Sequence, residues 1–561
     1  MLISQLNNTV LISDKRALTF YGHLLSRSST AYRRRLSRAV RRLSSAFRSD
    51  SASVRGRKMA PITISLVFPE KEAKRAHSFE EALELAGFGR AQLILVFLAG
   101  SSMMASINEA MGLSIILPAS DCDLLLDPGE KGLIGGAIFL GIMASSYFWG
   151  YQADTRGRQL VLKYALFATS VCSVASSFVN DFGSLMALRF ITGVCISAPS
   201  AIVYTYLGEF CTNSKRVQML SYASVMASLG IVYVALIGWW ILSYSWSFAI
   251  TDTISFKPWR LLFIVYTVPG FVAAIAYCFC PESPKFLLTQ GRTGEALDVL
   301  RRLYRVNKGL SSDEGYEVTA LVPETVQNDK QVKGGFREIL QSMKDQTVPL
   351  LKAPYLVYFL VCGINSISAF AIYGGLGLWF PQIMNQVFSD GSSAAVCSIL
   401  ETKPSADDLS QVYQCTETVK SETFMYTIML GLMGMSYCFI LSLILGRISG
   451  KTMMIINMAV AGVAGIALQF VSNSYVVAVL FCVEIMFAGM CVMLVNALAV
   501  SLFPTHVRGM AVSLVNMAGR FSCFVGSAVI GLLMAQNCPL TFYALSGLLF
   551  VSSVAALLLP W

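Results

Sequence analysis

The sequence predicts an all-α membrane protein with twelve spanning helices in two pseudo-symmetric six-helix bundles. Three observations carry this. Hydrophobic residues make up 55% of the 561-residue chain and charged residues only 14%, against about a quarter charged in a soluble domain. The apolar residues fall in runs of about 20, the length that crosses a bilayer as a helix. Landmarks of the first half recur in the second at a nearly constant offset. The period-two alternation of a membrane β-barrel is absent.

The runs come in two sets of six. The first set lies at about 91–117, 132–153, 160–180, 182–207, 219–243 and 260–280. A polar stretch at 282–352 interrupts. The second set lies at about 354–384, 423–446, 451–472, 475–502, 510–534 and 540–560. The domain expectation is therefore a basic tail over 1–90, largely disordered, a first bundle over 91–281, a cytoplasmic linker over 282–353 and a second bundle over 354–561. Residues 1–58 hold 13 Lys/Arg and 2 Asp/Glu, so the formal net charge of +10 belongs to the tail. That tail lacks the apolar core of a secretory signal and reads as a solvated tail, a transit or lipid-surface segment, or a stretch upstream of a true start at Met59. Glu80-Glu81-Ala-Leu-Glu84 marks a short helix before the membrane.

Loop charge sets the orientation. Loops after even-numbered runs carry Arg156 and Arg158, Lys215 and Arg216, eleven basic residues from Lys285 to Lys352, Arg447 and Lys451, then Arg508. Loops after odd-numbered runs carry Asp121, Asp123, Asp127, Glu130, Asp181, Glu401, Asp407 and Asp408. Both termini are expected on the cytoplasmic side, in a plasma or vesicle membrane. The repeat shows in two landmarks. Gly157-Arg158 recurs as Gly450-Lys451, and Glu209 through Arg216 as Ser501 through Arg508. A six-helix repeat of this kind is the architecture of alternating-access transporters.

Several chemistries are not supported. The 14 cysteines and three histidines show no metal-ligand spacing, so neither metal nor cofactor is expected. No nucleophile and base constellation points to an enzyme, and the basic tail is not read as a nucleic-acid site. Gly446-Arg-Ile-Ser-Gly450-Lys451-Thr452 is one residue short of a phosphate-binding loop and follows no strand. Cys122, Cys397, Cys415 and Cys538 fall in loops placed outside the cytoplasm, where a disulfide can form, and proximity favours Cys397–Cys415.

Gly150-Tyr-Gln-Ala-Asp154-Thr-Arg156-Gly157-Arg158-Gln159 resembles the loop signature of major facilitator transporters. Within that superfamily, Pro281-Glu282-Ser283-Pro284-Lys285 followed by Phe286-Leu-Leu resembles an element of sugar porters, organic ion transporters and the synaptic vesicle glycoprotein 2 group. Trp379-Phe380-Pro381, Phe503-Pro504-Thr505-x-x-Arg508, and Glu109 ahead of Leu117-Pro118 resemble the vesicle group most. The resemblance covers about 78–560. It departs in three ways. The loop between the seventh and eighth runs is short, the outer loops carry no glycosylation sequon, and Ser106 stands where that group has an acid.

Candidate site residues follow. Glu109, beside Asn108, is a mid-membrane acid, either a substrate or proton contact or a structural charge held by a neighbouring helix. Glu484 and Arg520 reach similar depth on adjacent helices and are expected to pair, for structure or gating. Arg189 with Gly193 resembles the R-x-x-x-G element assigned to coupling or packing. Tyr373 and Trp379, in a Gly-rich run that reads as a broken helix, are candidates to bind an organic cation. The resemblance implies that Asp154, Arg158, Glu209 and Arg216, with Gly150, Arg156, Gly157 and Arg508, form a cytoplasmic gate that ties the two bundles together while the outer side is open and is broken when they rock. Gly150 is read as a close-approach position between helices.

The expected function is secondary transport of a small organic ion or polar metabolite by a monomeric unit, with protons as the candidate coupling ion. The alternative is a transporter-shaped protein of the vesicle group that acts in trafficking or as a receptor.

Overall fold

The computed structural model describes residues 11–14, 17–19, 77–251, 254–310, 315–322, 344, 347–353, 355–390, 396–401, 419–444 and 448–559. Twelve helices are long and apolar enough to cross a membrane. In chain order they are α1 (Arg90–Ala119), α2 (Pro128–Arg156), α3 (Arg158–Ser176), α4 (Phe182–Gly208), α5 (Asn213–Leu242) and α6 (Pro258–Tyr277). In α7, Tyr355–Phe370 runs through a π-helical turn, Ala371–Leu376, into Gly377–Asp390. The rest are α8 (Ser421–Ile444), α9 (Gly450–Ala467), α10 (Ser474–Leu502), α11 (Thr505–Gln536) and α12 (Cys538–Ala556). Helices satisfy their own backbone groups, which is why apolar runs of this length take this form. The π-helical turn falls in the Gly-rich run that the sequence marks as a broken helix.

The helices pair in the same pattern in both halves. In the first, α3 packs on α4 and α6, and α1 on α5. In the second, α9 packs on α10 and α12, and α7 on α11. Between the halves, α2 packs on α11 and α5 on α8, each contact the symmetry mate of the other. The repeat extends to single side chains. Arg216 donates to the carbonyl of Cys211 (3.5 Å) and Arg508 to that of Phe503 (3.1 Å), both five residues back.

At one end, called here the Asp121 end, four helix starts are capped by their own neighbours, Asp127, Asp181, Asn473 and Asn537. Asp127 accepts from Glu130 N and Glu130 returns a bond to Asp127 N, with Pro128 at the first helical position. Asp181 caps α4 through Ser184 N. At the opposite, Arg158 end, three helices borrow their caps from distant segments. Gly89 and Gly157 have no side chain to offer, and Thr212 makes no cap bond. Asn307, on a helix Thr293–Lys308, accepts from Ala91 N at 3.0 Å. Glu282 accepts from Arg158 N and Gln159 N at 2.9 and 3.1 Å. Glu80, on a helix Phe79–Ala86, accepts from Asn213 N at 2.6 Å. The stretch expected as a linker thus completes helix ends of the first bundle, where unsatisfied N–H groups need partners.

The expected Cys397–Cys415 bridge is corrected. Cys397 bonds to Cys538, with Cα atoms 5.4 Å apart, which ties the helix Val396–Glu401 to the start of α12. Packing of that helix on α12, not nearness in sequence, sets the pairing. Cys122 is also disulfide-bonded. Cys415, Gly446 and Arg447 lie outside the described residues. Lys451 donates to the carbonyl of Leu557 at 3.1 Å, an ordinary helix-end contact.

Candidate functional site

At the Arg158 end, four acidic and basic groups converge. Arg158 lies 3.1 Å from Asp154 and 3.4 Å from Glu209. Its guanidinium stacks over the Phe286 ring at 4.9 Å. Below it Glu282 caps α3. Gly157 is fixed twice over: its φ is +107°, and a Cβ there would sit 2.3 Å from Glu282 Oε2. Burial pushes the Glu209 carboxyl above the ordinary range, and the Arg158 charge pulls it partly back. Asp154 and Arg156 are exposed.

The cluster does not tie the two bundles together in this state. Its members all come from α2, α3, α4 and the segment after α6, so it braces the first bundle instead of bridging to the second. Arg216 turns to the carbonyls of Gly208 and Cys211, and Arg508 to that of Phe503. The close approach expected at Gly150 is corrected, since a Cβ there would meet nothing within 4 Å. The close approach of α2 to α4 occurs at Gly141 and Gly193, where a Cβ would lie 2.2 Å from Phe190 O and 2.1 Å from Ile138 O.

A second cluster lies inside the first bundle. Glu109 on α1 pairs with Arg189 on α4 at 3.2 Å, their side chains 2% and 1% exposed. Ser173 on α3 donates to Glu109 at 3.0 Å, and Arg189 donates to Ser176 at the end of α3 at 2.8 Å. Phe263 of α6 lies under the guanidinium at 4.8 Å. Such a pair is retained in a low-dielectric core only when hydrogen bonds complete it. Asn108 is buried and donates to Tyr266 O at 3.2 Å. Glu109 and Asn108 therefore face helices of their own bundle and not the space between bundles.

The two bundles meet most tightly toward the Asp121 end. A Cβ on Gly132 would lie 2.5 Å from Ser527 O, and one on Gly531 2.5 Å from Pro128 O. Ser527 donates to Gly132 O at 2.9 Å. On the other side, Trp239 of α5 stacks on Phe424 of α8 with rings 3° from parallel. Further in, a void of about 20 Å³ remains between the bundles, lined by Ser114, Ile231, Tyr373, Phe380, Thr427 and Ile485 among others. It has room for a single water and no solute. Tyr373 lines it. Trp379 does not: it is buried, donates to Ser527 O at 2.9 Å and serves the closed end.

The expected Glu484–Arg520 pair is not formed. Glu484 is fully buried against Gly465 of α9, and neither carboxylate oxygen has a hydrogen-bond partner. Arg520 points across the interface, donating to Ser146 of α2 at 3.1 Å and to Ser200 of α4 at 3.5 Å. Depth along two helices gives a shared height. It does not give the direction each side chain faces, and here the two directions diverge. The capping roles of Glu282, Glu80 and Asn307 escape sequence reasoning. The signal for the first was the acid in the Pro281–Lys285 element together with a helix opening on glycine.

The family model of the Major Facilitator Superfamily matches residues 93–527. Human synaptic vesicle glycoprotein 2B is 30% identical over 331 residues, which are 56% of this chain and 48% of that protein. Synaptic vesicle glycoprotein 2A of Rattus norvegicus is 34% identical over 233 residues, 41% of this chain and 31% of that protein. The chain thus spans about half the length, or less, of these relatives. In fold it is similar to the xylose transporter XylE from E. coli in a partially occluded inward open conformation, with a TM-score of 0.59 over 84% of this chain and all of that one, at 13% identity. A crystal structure of a D-xylose-proton symporter gives a TM-score of 0.54 over 82% of this chain and 96% of that one, also at 13% identity. With its twelve spanning helices in two matching bundles, this chain is a multi-pass membrane protein and belongs to the Major Facilitator Superfamily.

Proposed function

We propose that the chain is a secondary transporter that moves a small organic solute by rocking its two bundles about the interface. The observation that carries this reading is the one-ended clasp. The Gly132–Ser527 and Trp239–Phe424 contacts join the bundles toward the Asp121 end, while the charge cluster at the other end belongs to one bundle alone. That is one of the two states an alternating-access cycle needs, open toward the Arg158 end.

The Arg158 end is the cytoplasmic one in this reading. Basic residues gather there, and the cysteines held in disulfides lie at the Asp121 end, which suits an oxidising compartment. Both termini are then cytoplasmic, in a plasma or vesicle membrane, and the transport unit is one chain. The likeness to a proton symporter and the Glu109–Arg189 pair support coupling to protons, with Glu109 as acceptor.

One observation favours the second reading, a vesicle-group protein that does not transport. The second bundle keeps basic counterparts of the gate, Lys451 and Arg508, but lacks the acid of Glu209: Ser501 stands in its place and bonds to its own helix at Leu498 O, 2.8 Å. Reconstitution into liposomes separates the two. Uptake of at least one solute from a panel of sugars, carboxylates and amines, driven by a pH gradient and lost in Glu109→Gln, is the expected result. No uptake of any member, with no thermal stabilisation by any, would overturn the transport reading.

A further inference from the structure

We infer that the space between the bundles receives an anionic solute and that Arg520 is its counter-charge; this rests on the transport reading above. Arg520 lies at mid-length of α11, half-buried, on the face turned to the opposite bundle. Its donors go to Ser146 and Ser200, both neutral hydroxyls. Among the described residues no carboxylate lies within ion-pair distance of it. The nearest candidates by depth are engaged or turned away. Glu109 is closed into the first bundle by Arg189, and Glu484 faces Gly465 of α9.

An intramembrane guanidinium without an acid is costly to keep, and a ligand that brings the missing charge removes the cost on binding. The surroundings suit such a ligand. The 3.5 Å bond to Ser200 is weak and easily exchanged. Ser197 stands 3.2 Å from Ser146, extending the hydroxyl row. One turn before Arg520 on α11, Asn516 donates to Asn496 of α10 at 2.7 Å, which places amide groups beside the charge. A planar guanidinium with flanking hydroxyls and amides matches a carboxylate, phosphate or sulfate group, and a carboxylate best, because its two oxygens fit the fork of the arginine. The same charge repels an organic cation, so the cation expected from Tyr373 and Trp379 is not the solute this interface selects. Because Ser146 and Ser200 lie in one bundle and Arg520 in the other, the bound anion would touch both.

The test uses the full chain in phosphatidylcholine nanodiscs, read by thermal stabilisation. The probes are benzoate, succinate, phenyl phosphate and phenyl sulfate, with benzylammonium and benzyl alcohol as charge-reversed and neutral controls. At least one anion is expected to stabilise the wild type, with affinity reduced about tenfold or more in Arg520→Gln and less in Arg520→Lys. Ser200→Ala, which keeps the charge and the helix, is expected to weaken the same anion to a smaller degree. Unliganded Arg520→Gln should melt no lower than wild type, which a purely structural arginine would not allow. Stabilisation by benzylammonium or benzyl alcohol alone would overturn the inference and leave the transport reading standing. An anion response unchanged in Arg520→Gln and Ser200→Ala would also overturn it, as would a response that appears only when phosphatidylglycerol replaces part of the lipid. Silence of every probe, together with no solute uptake, would remove both readings.

Discussion

The carboxylate of Glu282 caps the helix that Arg158 opens, with Oε1 2.9 Å from the Arg158 amide nitrogen, across 124 residues of sequence. It also accepts from Gln159 N and from its own neighbour Ser283 N. A helix N-terminus carries about half a positive charge, so an acid there is held by the dipole as well as by its hydrogen bonds.

Glu282→Ala is therefore expected to lower stability by about 1–2 kcal/mol, more than Glu80→Ala, which removes a single cap bond, and about as much as Asn307→Ala, which also removes the bonds that Asn307 donates to Ala86 O and Gly87 O. Gly157→Ala should cost at least as much, since it adds a forbidden φ to a contact with Glu282. Thermal unfolding of the four variants in detergent gives the ranking. A Glu80 variant less stable than the Glu282 variant would contradict it.

These borrowed caps show where the sequence is silent. The span boundaries were legible to within a few residues, because hydropathy reports directly on the solvent each turn meets. The repeat was legible because Gly157-Arg158 and the Arg216 loop each recur with little drift. Helices without caps of their own could be suspected from Gly89 and Gly157, but Thr212 reads as an ordinary cap, and partners more than 120 residues away could not be foreseen. The Glu484–Arg520 expectation failed for a related reason, since two residues can share a height in the membrane and face opposite ways. The disulfide failed because nearness in sequence outweighed helix packing in the reasoning.

The Glu109–Arg189 pair is expected to be costly to break from one side. Glu109→Gln leaves a guanidinium buried without its counter-charge, and about 3–5 kcal/mol of stability should be lost. Replacing both residues, Glu109→Gln with Arg189→Gln, should recover a large part of that loss. A double variant no more stable than the single would contradict a direct pairing.

Glu209 gives a pH dependence with a defined sign. Burial raises its folded-state value above the ordinary 4.5, so the folded protein holds this proton more tightly than the unfolded chain. The stability it contributes is present below about pH 4.5 and is lost as pH rises through the folded-state value. Glu209→Gln should flatten that decline and melt no lower than wild type near about pH 7. Thermal unfolding across this range decides it. A variant that melts lower than wild type at neutral pH, but not in acid, would show that attraction to Arg158 outweighs burial.

The clasp at the Asp121 end makes a steric prediction. A Cβ at Gly132 already falls 2.5 Å from backbone, which cannot yield as a flexible side chain can. Gly132→Val should therefore prise the bundles apart at that end while leaving each bundle folded. Melting within about 1–3 kcal/mol of wild type is expected, the usual cost of overpacking.

That variant supplies the most direct test of the rocking motion. Distance labels on non-natural residues at Tyr151 and Gly509 report the Arg158 end, and labels at Leu125 and Leu540 the Asp121 end, all four sites being exposed. Gly132→Val is predicted to lengthen the Leu125–Leu540 distance and shorten the Tyr151–Gly509 distance together. Two distances that stay fixed, or that lengthen in concert, would contradict two bundles turning about a shared interface.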